Sequence, residues 1–349
     1  MVRATPMLLL ALLSGCQALR TADPERLVPA YTEPASRFVE VADTEVHLVD
    51  EGEGPAMLML HGAASSLHDW DGWARELSRD HRVLRIDLPP FGLTGPLPGG
   101  RYDPDVYLEL VHEVLDESGV EEVVLVGNSL GGYIAANYAA VHPERVRALV
   151  LVSPAGYPQS LPWPLRVPTL PVIGWISQHV TPRWVVARGI RDAYGDPERI
   201  EPGTIDRHFD LIRAPGAREG LRQLARTMDE LRHEPPDWVD EVQAPALILW
   251  GEDDDFSSVE LADLWIESLP EARLVTLPGV GHVAMEEVPE RSLAVARPFL
   301  DDVLDRPGPE STAGHGSTRS PGDSATGAMF ARSRCLHDRT PGRYTRMNP

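Results

Sequence analysis

Short apolar runs recur along the middle of the chain at the length of β-strands. They cover residues 56–60, 83–86, 123–126, 148–152, 246–250 and 274–277. Such runs, rich in β-branched residues, are typical of strands buried on both faces of a parallel sheet. Between them the pattern has a helical period over residues 69–78, 105–118, 132–140, 259–268 and 291–304. Strands alternating with helices predict an α/β fold with a doubly wound, mostly parallel sheet.

Two regions depart from that alternation. Residues 37–41 and 45–49 alternate apolar with polar positions and predict a pair of antiparallel edge strands. Residues 157–240 contain no convincing strand, are rich in Pro, Arg and Trp, and include helical patterns over 181–194 and 217–231. We therefore expect a core formed by residues 35–156 and 241–304, with 157–240 inserted as a helical cap over one edge of the sheet.

The two ends of the chain have a different character. A basic residue, an apolar run over residues 7–13 and the tetrapeptide Leu13-Ser14-Gly15-Cys16 indicate a secretory signal. The tetrapeptide resembles the lipobox of bacterial lipoproteins, which implies a signal peptide at 1–15, lipidation of Cys16 and a tether over 16–34. A plain secretory signal and a misassigned start codon are the alternatives. The tail at 305–349, rich in Gly, Pro, Ser, Thr and Arg, is expected to be disordered.

The composition narrows the function. Asp and Glu total 53 against 32 Lys and Arg, for a net charge of −21, which argues against nucleic-acid binding. No basic or amphipathic membrane-binding stretch is evident, so we expect lipid on Cys16 to provide any membrane attachment. The residue after it, Gln17, favours the outer membrane of the cell envelope by resemblance to lipoprotein sorting. Two cysteines exclude a disulfide framework or a four-cysteine zinc site, and no metal or cofactor is predicted.

The strongest chemical signal follows the strand at 123–126. Gly127-Asn128-Ser129-Leu130-Gly131-Gly132 is a G-x-S-x-G motif placed between a strand and a helix. That context predicts a sharp turn that exposes the Ser129 hydroxyl beside a helix N-terminus. A serine nucleophile needs a base, and His282 follows the last predicted strand. The orienting acid is one of four, Glu252, Asp253, Asp254 and Asp255, which follow the strand at 246–250.

An acyl-transfer site also needs donors for the oxyanion. The turn His61-Gly62-Ala63-Ala64 ends the strand at 56–60 with small residues. We expect the N–H groups of Ala63 and Leu130 to form the oxyanion hole, with His61 holding the turn.

These motifs together resemble the α/β-hydrolase superfamily, in particular capped bacterial serine hydrolases. The similarity covers roughly residues 36–304 and includes the segment Asp87-Leu88-Pro89-Pro90-Phe91-Gly92. It implies a catalytic triad of Ser129, Asp254 and His282, with Asp253 and Asp255 still open, and gives Asp87 a structural role. No cofactor is implied.

Three functions remain open. The main prediction is hydrolysis of small to medium apolar carboxylic esters through an acyl-enzyme. The first alternative is a carbon–carbon bond hydrolase of the meta-cleavage product type, which shares the G-N-S-x-G-G elbow. That subfamily typically has Trp after the catalytic His and a Gly-Pro-Gly-like oxyanion loop, where this chain has Val283 and Ala63-Ala64-Ser65. The second is a non-catalytic, hydrolase-like binding lipoprotein.

The cap is expected to select the substrate. Its large apolar residues could line a pocket or form the cap's own core, the second being favoured for most of Trp163, Leu165, Ile173, Trp175, Trp184 and Tyr194. Arg188 and Arg191 are neighbours on a helix, with Arg183 loosely on the same face. A solvated face fits these arginines better than a site for an acidic substrate.

Overall fold

One eight-stranded sheet organises the protein in a computed structural model that describes residues 19–305. The strands are β1 Ser36–Val41, β2 Thr44–Glu51, β3 Ala56–Leu60, β4 Arg82–Ile86, β5 Val123–Asn128, β6 Val146–Val152, β7 Ala246–Gly251 and β8 Ala272–Leu277. Their order is β1-β2-β4-β3-β5-β6-β7-β8. The pairs β1–β2 and β2–β4 are antiparallel and the others are parallel. The predicted α/β fold and the antiparallel edge pair are confirmed.

Helices follow most of the parallel strands and cover both faces of the sheet. Those of the core are α2 Asp71–Leu77, α3 Pro104–Glu117, α4 Leu130–Val141, α10 Leu261–Ser268, α11 Ala284–Glu287 and α12 Pro289–Asp305. A further helix, α1 Pro24–Tyr31, precedes β1. The five helices predicted from the period correspond to α2, α3, α4, α10 and α12, with ends that differ by a few residues.

The core lies in two layers because side chains of a strand alternate between faces. Leu58 and Leu125 belong to a cluster on one face, and Met59 and Val126 to a cluster on the other. All four are fully buried. Each such side chain contributes about 1.5–3 kcal/mol by leaving water. Burial on both faces explains why these strands appear in the sequence as continuous apolar runs.

The cap lies between β6 and β7 and consists of five helices. They are α5 Trp163–Thr169, α6 Pro171–Ser177, α7 Arg183–Ala193, α8 Thr204–Leu211 and α9 Ala217–Leu231. The sequence pattern predicts α7 and α9 but not α5, α6 or α8. Proline makes α5 and α6 hard to recognise in the sequence, because Pro168 lies inside α5 and Pro171 begins α6. Proline interrupts a helix in its interior but suits its first turn.

Part of the segment predicted as a tether is helical. Residues 24–31, assigned to it by the sequence, form α1, which buries Leu27 against Ala214 and Ala217 of the cap. Asp23 caps this helix by accepting from the N–H of Glu25, and Pro24 occupies its first position. The Tyr31 hydroxyl donates to Asp210 at 3.0 Å. This end of the described chain is therefore packed against the cap rather than extended from it.

Several predictions concern parts of the chain outside the described residues. They are the signal peptide at 1–15, lipidation of Cys16 and disorder of the tail after Asp305, the last residue of α12. Within residues 19–305, no helix combines the length and the apolar character needed to cross a bilayer.

Candidate active site

Ser129 occupies a strained turn between β5 and α4. Its φ is 52° and its ψ is −113°, outside the regions that residues with a side chain prefer. The neighbouring glycines are required by space. A Cβ at Gly127 would lie 2.3 Å from the Gly131 carbonyl oxygen, and one at Gly131 would lie 2.2 Å from that of Leu60. The turn therefore holds Ser129 at the carboxyl edge of the sheet, as the motif predicts.

The two predicted oxyanion donors flank this turn. Leu130 is the first residue of α4, where backbone N–H groups have no partner inside the helix. A Cβ at Gly62 would lie 3.4 Å from the Cβ of Ser129, so the turn that carries Ala63 lies directly against the serine. Within residues 19–305, no carbonyl or side chain accepts a hydrogen bond from the N–H of Ala63 or Leu130. Both remain available to a bound oxygen.

His282 and Asp254 form a hydrogen-bonded pair. The Nδ1 of His282 lies 2.8 Å from Asp254 Oδ2. The other carboxylate oxygen of Asp254 accepts from the N–H groups of Phe256 and Ser257, each at 2.8 Å. A proton on Nδ1 leaves Nε2 as the acceptor, which is the tautomer that a general base requires. Of the acids that follow β7, it is Asp254, not Asp253 or Asp255, that contacts the imidazole.

The loop that carries His282 is held by both the core and the cap. Asn128 Nδ2 donates to the His282 carbonyl at 3.0 Å, and the His282 N–H donates to the carbonyl of Ala193 in α7 at 2.7 Å. These bonds orient the base without involving its ring.

Glu287 adds a connection that the sequence interpretation missed. Its buried carboxylate accepts from the N–H of Gly281, beside His282, at 2.7 Å. It also accepts from the cap N–H groups of Gly195 and Asp196, both at 3.0 Å, and from Arg199 at 2.9 Å. The only sequence signal for this role is its position, five residues after His282, at the end of α11.

His61 and Asp87 have structural roles, as expected. The Leu88 N–H donates to His61 Nε2 at 2.8 Å, so Nδ1 carries the proton and donates to the Gly62 carbonyl. Burial lowers the pKa of His61. Asp87 accepts from the N–H of Leu67 and from His47 at 2.8 and 2.7 Å. Burial opposes the charge on Asp87, yet its hydrogen bond to His47 holds its pKa below the ordinary value.

Ser129 and His282 line the same cavity, which has a volume of about 180 Å³. Its walls are mainly apolar and come from cap helices α5 and α7, including Trp163, Leu165, Val167, Val185, Val186 and Ile190. A larger cavity, of about 680 Å³, lies between α3, α4 and α9, and its walls include neither Ser129 nor His282.

The large apolar residues of the cap divide between two environments. Trp163, Leu165 and Tyr194 line the cavity, whereas Ile173, Trp175 and Trp184 are exposed. The expectation that most of the six form the cap's own core is therefore wrong.

The arginines of α7 lie on the solvent side. Arg183 contacts Asp206 at 2.6 Å, and Arg188 contacts Asp192 at 2.7 Å. The exposure of these arginines fits the favoured interpretation of a solvated face.

One end of the cavity is polar and joins the core to the cap. Ser65 donates to the buried carboxylate of Asp69, and Arg207 of α8 binds both Asp69, at 3.4 Å, and Glu286. His208 Nε2 lies 3.3 Å from the Ser65 hydroxyl. The guanidinium of Arg207 is therefore already bound to two acidic side chains of the cluster.

Burial changes the protonation of this cluster. Burial, followed by the negative charge of Glu286, raises the pKa of Asp69 to about 8. Burial, followed by the positive charge of Arg207, lowers the pKa of His208 to about 4. At neutral pH the side chains of Asp69 and His208 are therefore mainly uncharged.

A second group of titratable residues lies outside the cavity. Glu33, His68 and Asp71 each bring one possible ligand atom within 4.8 Å of the others. The buried guanidinium of Arg85 donates to Glu33 at 2.8 Å and also binds Asp71. A buried cation therefore already pairs with both carboxylates of this group.

Comparison with known proteins gives the family. A profile described as "alpha/beta hydrolase fold" matches residues 55–289, and the chain belongs to this family.

Curated relatives and solved structures show the breadth of that family. The chain is 27% identical, over 77% of its length and 97% of the relative's, to a "2-hydroxy-6-oxononadienedioate/2-hydroxy-6-oxononatrienedioate hydrolase" of Paraburkholderia phymatum. It is 25% identical to a thermophilic esterase from Thermogutta terrifontis, with a TM-score of 0.66 and coverage of 77% of this chain and 99% of that one. A bacterial membrane phospholipase A has the same fold, with 24% identity, a TM-score of 0.68 and coverage of 87% and 93%.

Proposed function

We propose that the protein is a serine hydrolase that forms an acyl-enzyme on Ser129. The Ser129 hydroxyl attacks a carbonyl carbon, His282 Nε2 takes its proton, and Asp254 stabilises the imidazolium. The N–H groups of Ala63 and Leu130 bind the oxygen that becomes negative. The imidazolium then protonates the leaving group, and His282 activates a water that releases the acid. The observation that carries this proposal is the hydrogen bond between His282 and Asp254, in a site where His282 and Ser129 line the same cavity.

We propose carboxylic esters with a small to medium apolar acyl group as the substrates. The walls of the cavity are mostly apolar, which suits an alkyl or aryl chain. Its polar end is lined by Ser65, by Asp69 and His208, which are mainly uncharged at neutral pH, and by Glu286, whose partner is the guanidinium of Arg207.

A carbon–carbon bond hydrolase is the second candidate, and the curated relatives favour it over ester hydrolysis. The name of the Paraburkholderia phymatum relative describes a substrate with two carboxylates. An anionic substrate needs a cation that is free to pair with it. Arg207 is paired with Glu286 and is not among the residues that line the cavity. Arg218 lines the cavity and donates to the carbonyls of His179 and Arg20. These contacts support the ester over the dicarboxylate.

The deciding experiment offers both kinds of substrate to the purified full chain. One series consists of p-nitrophenyl esters of graded acyl length. The other substrate is a 2-hydroxy-6-oxo-dienoate, whose cleavage is measured as the loss of its absorbance. We expect turnover of the esters and little of the dienoate. Efficient cleavage of the dienoate without ester turnover would overturn the ester proposal in favour of the second candidate. Failure to react with a fluorophosphonate would instead indicate a binding protein.

We further propose that the mature protein is attached to the outer membrane of the cell envelope by lipid on Cys16, on the strength of its lipobox sequence alone. Two or three acyl chains are enough for stable attachment. In cells, the wild-type chain should sediment with membranes and take up labelled palmitate, and Cys16→Ser should do neither. A soluble, unlabelled wild-type chain would remove this proposal without affecting the hydrolase.

A further inference from the structure

The outer surface of the cap exposes an unusual concentration of large apolar side chains. Of the eleven that are exposed within residues 19–305, six lie between residues 170 and 184. This set, the cap patch, consists of Leu170, Val172, Ile173, Trp175, Ile176 and Trp184. Val172 is 70% exposed, Trp175 is 57% exposed and Trp184 is 71% exposed. A large exposed apolar surface of this kind marks an interaction site.

Helix α6 separates this surface from the cavity. Val172, Ile173, Trp175 and Ile176 lie on one side of the helix, and the buried Gly174 lies opposite, against the Pro168 carbonyl. Ser177, at the end of the helix, lines the cavity. One short helix thus presents an apolar face to solvent and borders the space above Ser129.

Positive charge accompanies the cap patch. Residues 161–191 contain Arg166, Arg183, Arg188 and Arg191 but no Asp or Glu, in a chain of net charge −21. On α7, Trp184, Arg188 and Arg191 are spaced four and three residues apart, so they share the exposed face. The ion pair of Arg183 with Asp206 is exposed and contributes little, so this guanidinium can exchange a carboxylate for a phosphate. Arg188 is itself exposed, although its partner Asp192 is mostly buried.

The start of the described chain lies beside the same surface. The guanidinium of Arg218 donates to the carbonyl of Arg20 at 3.2 Å and to that of His179 at 2.9 Å. The His179 ring packs edge-on against Trp175 of the cap patch, with 5.0 Å between ring centroids. Three residues separate Cys16 from Arg20, and the four Cα–Cα steps between them span at most about 14 Å. A lipid on Cys16 would therefore bring the cap patch close to the bilayer.

We propose that the cap patch docks on the surface of an anionic phospholipid bilayer. Tryptophan and aliphatic side chains enter the interface, and the arginines of α7 bind lipid phosphates. The cavity then opens towards the bilayer, so its ester substrates arrive from the lipid phase; this last point rests on the proposed function. The sequence pattern indicates no such surface, because the proline-bounded α6 is too short to show an amphipathic period.

The test measures binding separately from catalysis. The full chain carrying Ser129→Ala, and Cys16→Ser to remove any lipid anchor, is mixed with vesicles of phosphatidylcholine and phosphatidylglycerol in equal parts. Its vesicle partitioning is compared with that of a triple variant, Ile173→Gln, Trp175→Gln and Trp184→Gln. The matched control replaces three exposed apolar residues elsewhere: Val141→Gln, Leu231→Gln and Leu264→Gln.

We expect the parent chain and the control to bind, and the patch variant to bind at least roughly tenfold more weakly, because three bulky apolar side chains no longer leave water. Salt, or vesicles of phosphatidylcholine alone, should weaken binding of the parent. Equal binding of the patch variant and the control overturns the proposal. Failure of the parent chain to bind vesicles also overturns it. In that case, a parent and a control that sediment as dimers, with a monomeric patch variant, would show that the cap patch is a dimer interface instead. Hydrolysis of a soluble ester by the patch variant with Ser129 intact tests the proposed function independently.

Discussion

The carboxyl edge of the sheet and the cap differ in how they hold and expose their side chains. At the sheet edge, Ser129 and His282 occupy turns whose backbones are fixed by hydrogen bonds and by glycines that admit no Cβ. The cap consists of short helices that expose large apolar side chains on one surface and line the cavity with the other. The comparison shows that the candidate catalytic residues lie on the core, while the cap supplies walls of the cavity and the exposed cap patch.

Replacing the nucleophile should have the largest effect. Ser129→Ala removes the atom that attacks the carbonyl, and kcat should fall by roughly 10⁴-fold or more, as for other serine hydrolases. The fold should persist, as checked by thermal unfolding. A variant that hydrolyses p-nitrophenyl esters as fast as the wild type would contradict the assignment of the catalytic group to the sheet edge.

Replacing the acid should have a slightly smaller effect. Asp254→Asn keeps an acceptor for the backbone N–H groups but no longer holds His282 in the required tautomer, so kcat should fall by roughly 10³–10⁴-fold. Asp253→Asn is the matched control, and it should retain nearly full activity. Equal losses in the two variants would refute the pairing seen between His282 and Asp254.

Glu287 tests whether the sheet edge and the cap act together. Glu287→Gln leaves one acceptor where four donors converge, so the His282 loop should shift and kcat should fall by roughly ten- to a hundredfold with little change in KM. Glu290→Gln, on the exposed side of α12, is the control. An unchanged kcat would indicate that the base needs no support from the cap.

The cap should determine acyl-chain length. Val186 lies in the cavity wall, and Val186→Phe would fill part of the cavity. The kcat/KM for long-chain esters should therefore fall by about tenfold, while that for an acetate ester should change little. Arg183→Gln, exposed on the same helix, should leave the profile unchanged. A uniform loss over all chain lengths would mean that the substitution disturbs the active site instead.

The smallest effect concerns pH and stability at the junction of core and cap. Asp69 has a folded pKa of about 8 against an ordinary value of 3.8, so the folded state retains a proton that the unfolded chain loses. Stability should therefore decrease as pH rises through that window, and Asp69→Asn should reduce this decrease. Chemical unfolding at several pH values measures the difference.

His208 makes the free energy of unfolding depend on pH in the opposite direction, over the acid range. Its folded pKa is about 4 against 6.5, so stability should also fall as pH drops through that range. Ser65, Arg207, Glu286 and Tyr194 lie around Asp69 and His208 and are unchanged in Asp69→Asn. A stability difference between wild type and Asp69→Asn that does not change with pH would contradict the neutral, buried state of Asp69.

Much of the core can be predicted from the sequence because its rules are local. Strands buried on both faces appear as apolar runs, and β3 matches its predicted residues 56–60 at both ends. The Ser129 turn is recognisable because a strand, two glycines and a helix must follow one another directly. Chain order places Ser129, Asp254 and His282 at the same edge, since parallel strands share a direction.

Only the tertiary structure decided the rest. It selects Asp254 from four consecutive acids, because neighbours in sequence point in different directions and only one reaches His282. It places Trp163 in the cavity and Trp175 in solvent, although both are tryptophans in short helices bounded by proline. It also joins Asp69, Arg207 and Glu286, which are far apart along the chain. These outcomes depend on which surfaces meet when the cap packs on the sheet, and no local pattern of residues contains that information.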